Sequence, residues 1–297
     1  MNNWKKTNNR QDIVCKTGKN NVPYLSFPLL EESGLVNHGF STRLGGVSSG
    51  IYESMNLSFS RGDSESAVRE NFIRFGEAIG VNYSDMVFSK QTHTTNIRIV
   101  TEDDRGKGTE KPLDYNDVDG LVTNIPGICL VTFYADCVPL FFLDPVKKVI
   151  GLSHSGWRGT VAKIGLKTVE TMSEIYGCRP EDIRACIGPS ICQSCYEVSK
   201  EVIDSFRDVF SPEFHDNLFY EKENGKYQLN LWEANKDIFF EAGILPEHVA
   251  VTNICTNCNP DLLFHTGHPT DSVEALLHFF HSKDNSQRKE IPCITHF

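Results

Sequence analysis

Between residues 86 and 155 the chain is a succession of short apolar and β-branched runs cut by turn residues. No other feature constrains the fold as much. The runs span 86–89, 96–100, 120–123, 128–134, 139–143 and 149–153. Each has the length of a strand. Several are apolar without alternation, which predicts a sheet covered on both faces. Asp144-Pro145 marks a turn between the last two.

The covering elements are legible as helical periodicities. Val68, Phe72, Phe75 and Ile79 form one apolar stripe, with Asp63 or Ser64 as N-cap and Gly80 as stop. A second stripe, Val161, Ile164, Thr168, Met172 and Ile175, predicts a helix over about 160–176 that ends at Gly177. Val202, Phe206 and Val209 predict a third. Leu231, Ala234, Ile238 and Ala242 predict a fourth, ended by Gly243. Two strand-like runs, 23–28 and 35–42, precede a glycine- and serine-rich loop over 43–50. The expected organisation is one mixed α/β domain over 22–264, with a flexible polar arm over 1–21 and a divergent tail over 265–297.

Composition narrows the class of partner. A formal net charge of −10 argues against broad binding to nucleic acid. The longest apolar stretch, 128–143, contains Asp136 and Pro139 and is too short to cross a bilayer, so no membrane partner is expected. The polar, basic first 21 residues lack the apolar centre of a secretory signal, so a cytoplasmic protein with reduced thiols is expected. The ten cysteines are then not read as a disulfide framework.

Three dense motifs carry chemistry. They are Gln91-Thr92-His93, Ala135-Asp136-Cys137-Val138-Pro139 and Ser153-His154-Ser155-Gly156-Trp157-Arg158-Gly159. Cys137 and His154 flank what reads as two strands around a turn, so both can reach one point. Two imidazoles and a thiolate suit Zn²⁺, and three protein ligands leave a fourth position open. Asp136 interrupts an apolar run and requires a reason. Arg43 and Arg158 sit beside glycine-containing turns and suit a phosphate or carboxylate. Taken singly, each of these residues also has an ordinary reading: a packed histidine, a small buried thiol, a surface ion pair. Two Cys-x-x-Cys pairs, Cys192/Cys195 and Cys255/Cys258, stand 59 residues apart. That separation is far longer than in zinc ribbons and argues for thiols with no metal role.

With these motifs goes a wider set: His38-Gly39-Phe40-Ser41-Thr42-Arg43 with Gly45-Gly46-Val47-Ser48, Asn56-Leu57, Asp119-Gly120-Leu121-Val122-Thr123, Ile187-Gly188-Pro189-Ser190 with Cys195-Tyr196-Glu197-Val198, and Leu229-Asn230-Leu231. In this order they closely resemble the bacterial laccase-domain family, also known as the purine nucleoside phosphorylase or polyphenol oxidase family. The resemblance implies a four-layer α/β/β/α fold and a catalytic zinc on His93, Cys137 and His154. It implies phosphorolysis of adenosine, inosine and methylthioadenosine, with adenosine deamination. Purine nucleosides and phosphate are then the partners, and Arg43, Arg158 and Asp136 the candidate substrate-binding residues. An older reading is copper-dependent phenol oxidation, but the chain's ten histidines include no His-x-His pair of the kind that feeds a copper cluster. Copper would still load such a site in vitro. A metal-free Cys137–His154 hydrolase and a degenerate, non-catalytic homologue remain as alternatives.

The resemblance breaks after Phe264. The family continues into a Ser-His-Arg segment and a final apolar strand, whereas this chain reads His265-Thr266-Gly267-His268. Codons chosen for these residues give Ser-His-Arg-Ala in another frame. A shifted frame or a divergent tail is therefore expected, with the arginine and terminal strand missing. The apolar stretch over 275–280 is expected as a short helix or as a segment clinging to exposed core.

Overall fold

The computed structural model describes residues 4–265 and the backbone of 276–282. Two six-stranded sheets form the body of the protein, and a three-stranded sheet flanks them. The first holds Val14–Thr17, Pro23–Ser26, Val36–Ser41, Leu276–Ser282, Cys129–Tyr134 and Met86–Phe88, in that spatial order. The second runs Val249–Val251, Arg184–Ile187, Val138–Asp144, Val149–Ser155, Gly120–Thr123 and Ile97–Ile99. Parallel and antiparallel neighbours occur in both. The mixed α/β class expected from the sequence is the one observed.

Each sheet is apolar on both faces because each face has a partner. Leu25, Phe40 and Leu130 of the first sheet share one core with Phe141, Ile150 and Leu152 of the second. The opposite face of the first sheet, with Met86, Phe88 and Val131, packs on the helix Glu65–Ile79 through Val68, Phe72 and Phe75. The opposite face of the second packs Leu140, Phe142 and Val149 on the helices Ile164–Tyr176, Lys200–Val209 and Leu231–Glu241. The strand Val138–Asp144 is buried at all its positions, as an unalternating run requires.

The helix boundaries follow local chemistry. Gly80 closes its helix at φ 78°, where a side chain would be strained. The helix expected over 160–176 is instead two. Trp157–Val161 ends at Ala162, Lys163 takes φ 56°, and Ile164–Tyr176 starts afresh. A left-handed residue cannot lie inside a right-handed helix, so the apolar stripe spans a break that periodicity does not register.

Both ends differ from expectation. The segment read as a flexible arm is docked over its described residues. Val14–Thr17 pairs with Pro23–Ser26, the Thr7 N–H donates to the Asn253 carbonyl at 2.9 Å, and the Asn259 side chain bonds both backbone groups of Lys5. Polar composition hid this, because the arm is held largely by backbone pairing, with Ile13 in the core and Trp4 packed against it as its apolar anchors. A strand stands where the terminal strand was expected to be missing; the apolar stretch expected as a short helix or as a segment clinging to exposed core is that strand. Leu276–Ser282 pairs antiparallel with Val36–Ser41 on one side and Cys129–Tyr134 on the other. Without it those strands would present two facing rows of unpaired N–H and C=O groups. The position of the expected Ser-His-Arg segment falls mostly outside the described residues.

Candidate metal and substrate site

The hairpin Val138–Asp144/Val149–Ser155 sets the site. Its register places Val138 opposite Ser155 and Pro139 opposite His154. Cys137, one residue before the first strand, therefore lies beside the His154–Gly156 end of the second. The turn residue Asp144 closes the other end by accepting the N–H groups of Val146 and Lys147, both at 2.8 Å. His93 arrives from a separate loop. Gln91 ties that loop down by bonding both backbone groups of Phe133, its Oε1 accepting from N at 2.7 Å and its Nε2 donating to O at 2.6 Å.

The result is that the ligand atoms of His93, Cys137 and His154 lie within 4.8 Å of one another. Cys137 Sγ is 3.9 Å from His93 Nε2, and the two imidazole centroids are 4.9 Å apart. Nitrogen and sulfur ligands at about 2.0 and 2.3 Å from a tetrahedral zinc stand roughly 3.5 Å apart, so these side chains need only close slightly on a metal. His154 is buried, Cys137 half-buried and His93 exposed, which leaves one side of the cluster open. Two backbone positions here are left-handed without glycine, His93 at φ 66° and Asp136 at φ 76°. Such strain concentrates where a side chain must be aimed.

Asp119 is the residue that sequence reasoning left without a role. Fully buried, it accepts the N–H groups of Thr92, His93 and Thr94 at 2.9–3.0 Å and faces His154 Nδ1 at 2.8 Å. One carboxylate thus shapes the His93 loop and orients the His154 ring, leaving His154 Nε2 for the open side. The available signal was a carboxylate directly before the apolar run Gly120–Thr123. Burial would raise the Asp119 pKa, but His154 and the Thr92 and Thr94 N–H groups outweigh it and hold it below the ordinary value.

The same balance governs the ligands. Burial pushes the Cys137 thiol up, but His154 and His93 bring it down to about 7. Burial pushes His154 down, but Cys137 and Asp119 raise it to about 9. Without metal, the site holds a thiolate beside an imidazolium between those limits.

A cavity of about 320 Å³ opens over the cluster, lined among others by Phe59, Phe88, Phe133 and Tyr134. Its size and its aromatic walls suit a small planar ligand. The loop carrying Ser58, Phe59 and Ser60 was not singled out in the sequence. Phe59 is held there by stacking on Phe72 at 5.3 Å.

The candidate substrate residues divide. None of Arg43, Arg158 and Asp136 is among the residues lining this cavity, and they differ in what else they touch. The Arg43 guanidinium donates to the carbonyls of Glu53 and Pro260 and lies 4.5 Å over the Phe264 ring, tying three segments together. Arg158 is exposed, 4.3 Å over Trp157, and forms no ion pair among the described residues. Asp136 accepts from Thr256 Oγ1 at 2.5 Å, and its carbonyl accepts the Ile191 N–H at 3.1 Å.

Fold and site together define a mixed α/β protein with an open His₂Cys centre on a sheet hairpin, under an aromatic cavity. The chain belongs to the family described as multi-copper polyphenol oxidoreductase laccase, whose family model matches residues 37–268. It is 38% identical over 227 residues to a protein named purine nucleoside phosphorylase YlmD from Bacillus subtilis, covering 76% of this chain and 81% of that one. It is 32% identical to a protein named adenosine deaminase RL5 from an unknown prokaryotic organism, over 76% of this chain and 86% of that one. The crystal structure of the Bacillus licheniformis protein YfiH superposes with a TM-score of 0.80 at 33% identity, covering 88% of this chain and 96% of that one. No helix among the described residues is long and apolar enough to cross a membrane.

Proposed function

We propose that this chain is a zinc-dependent purine nucleoside enzyme. It cleaves adenosine, inosine and methylthioadenosine with phosphate to the free base and ribose 1-phosphate, and deaminates adenosine. The observation that carries the reading is the convergence of His93, Cys137 and His154 on the floor of an aromatic cavity, with Asp119 behind His154. The names of the relatives support the substrate class.

The donor set fits zinc: one thiolate and two imidazole nitrogens, with His154 held in one orientation by a carboxylate on its other nitrogen. His93, Cys137 and His154 would hold the metal. Zinc there supplies Lewis acidity at an open fourth position. The family's description names several coppers, yet only one histidine-containing ligand group exists among the described residues. Copper binding at it in vitro is expected from ligand affinity alone and carries no functional meaning.

The chain's residues do the rest. Phe59 and Phe133, the accessible rings of the cavity, enclose the purine and exclude water, with Phe88 and Tyr134 buried behind them. Arg158, in the helix Trp157–Val161 that begins just after His154, draws phosphate toward the cluster and neutralises its charge. In phosphorolysis a phosphate oxygen bonds to the anomeric carbon while the carbon–nitrogen bond breaks. Its electron pair leaves with the purine, which takes up a proton. In deamination water adds at C6 and ammonia departs. Asp136 holds the turn that aims Cys137. Arg43 contributes by fixing the chain around Pro260 rather than by touching substrate.

Metal-analysed protein incubated with adenosine, with and without phosphate, tests this. Adenine and ribose 1-phosphate appearing only with phosphate establish phosphorolysis, and inosine without phosphate establishes deamination. Neither product from zinc-loaded protein overturns the proposal.

One specific arrangement favours a second reading. Cys137, His154 and Asp119 stand in the order nucleophile, base and orienting carboxylate. A metal-free hydrolase would use them without His93. Full activity in metal-stripped His93→Ala protein would select it.

A further inference from the structure

Cys192, Cys195, Cys255 and Cys258 place all four sulfurs within 4.8 Å of one another, in a second cluster built by other segments than the His93 centre. We propose that this cluster is a structural zinc site, a four-thiolate clasp joining the loop after Arg184–Ile187 to the segment after Val249–Val251.

Four observations lead there. First, sulfurs at about 2.3 Å from a tetrahedral zinc stand roughly 3.8 Å apart. Here Cys195 and Cys258 Sγ are 3.5 Å apart, and Cys192 and Cys258 Sγ 4.0 Å. All four thiols are free of disulfides. Second, polar hydrogens face the sulfurs. Cys255 Sγ accepts the Cys192 N–H at 3.2 Å, and the Ser194 hydroxyl lies 3.1 Å from Cys192 Sγ. A backbone N–H of one Cys-x-x-Cys pair thus points at a sulfur of the other, which favours sulfur carrying charge. Third, burial is graded. Cys192 and Cys255 are buried, whereas Cys195 and Cys258 are half-buried, so an ion has a path in from the surface. Fourth, among the described residues the two segments are otherwise joined here by backbone contacts: the Thr252 N–H on the Ile187 carbonyl, a parallel bridge between Ser190 and Cys255, and the Thr256 N–H on the Ser190 carbonyl. The 59 residues between the pairs are no obstacle, because the strand Arg184–Ile187 lies beside Val249–Val251 in the sheet.

The clasp has a consequence for the first centre. Thr256, between Cys255 and Cys258, bonds the Asp136 carboxylate, and Ile191, next to Cys192, bonds the Asp136 carbonyl. Both clasped segments thus grip the residue before Cys137. Metal at the four thiols fixes the turn that aims Cys137.

The test is metal counting on full-length protein purified under reducing conditions from zinc-supplemented medium. A His93→Ala/Cys137→Ala variant should retain one zinc per chain. After exchange with cobalt it should show thiolate charge-transfer bands of a four-sulfur site. Cys195→Ser/Cys258→Ser should lose one zinc per chain and melt at lower temperature. The site is refuted if the His93→Ala/Cys137→Ala variant folds, binds no zinc, and its four thiols react freely with a thiol reagent. Iron at the site, or a mass lowered by formation of a disulfide among the four, refutes it equally. Because the count is made on protein lacking the first centre, it stands apart from the proposed activity.

Discussion

Asp119 Oδ1 sits 2.8 Å from His154 Nδ1 while the same carboxylate gathers three N–H groups of the loop that presents His93. Two of the three candidate ligands are thus positioned by one buried charge. Asp119→Asn keeps the shape but loses the charge and part of the acceptor capacity. Zinc affinity should fall about 10–100-fold, as measured by competition with a chromogenic chelator. Unchanged affinity would remove Asp119 from the site.

The metal-free site has a defined pH behaviour. The Cys137 value is lowered from 9.0 to about 7, so its ionic contribution is present at high pH and lost as pH falls through about 7. The His154 value is raised from 6.5 to about 9, so its contribution is present at low pH and lost as pH rises through about 9. Alkylation of Cys137 by iodoacetamide in zinc-free protein should therefore titrate near pH 7. His154→Ala should move the midpoint upward, because burial remains and the cation is gone. A midpoint that stays put in the variant would contradict the pairing.

Gly156 tests the geometry with minimal disturbance. Its φ of −71° suits any residue, but an added Cβ would lie 2.9 Å from His93 Cδ2 and 3.0 Å from Cys137 Sγ. Gly156→Ala should lose the zinc of this centre, one per chain, and activity, with little change in secondary structure by circular dichroism. Normal zinc content in this variant would mean the three ligands do not converge as described.

The two arginines should separate in kinetics. Arg158→Ala should raise the phosphate KM about tenfold, the worth of a charge-assisted hydrogen bond, with an unchanged melting temperature. Arg43→Ala should do the reverse. Leaving the part-buried Pro260 carbonyl without its donor costs about 1 kcal/mol, read as a lower melting temperature with near-normal KM. Exchange of these two phenotypes would restore Arg43 as the phosphate residue.

The strand Leu276–Ser282 lies between Val36–Ser41 and Cys129–Tyr134, so truncation after His265 should uncover both. The shortened protein should melt at lower temperature and scatter light on standing. Equal stability would show that the strand contributes nothing to the sheet. Resequencing the gene around the Phe264 codon decides separately whether this ending arose by a shifted frame.

The sequence by itself determined what depends on neighbours along the chain. Apolar runs of strand length and helical stripes gave the mixed α/β class, and Gly80 gave a helix end, because side-chain alternation and backbone freedom are local properties. The hairpin 138–155 is equally local, so Cys137 and His154 could be paired in advance. Tertiary structure decided the rest. Asp119 acquires its role only when sheet pairing sets Gly120–Thr123 beside Val149–Ser155 and brings the 92–94 loop over it. Arg43 looks like an anion grip among glycines, but the fold places Pro260 and Phe264 against it. The two Cys-x-x-Cys pairs look unrelated across 59 residues until Arg184–Ile187 and Val249–Val251 become neighbouring strands. Separation along a chain carries no information about distance once a sheet has paired its strands. That is why Asp119 behind the first cluster, and the joining of the two cysteine pairs into the second, could be seen only in the folded protein.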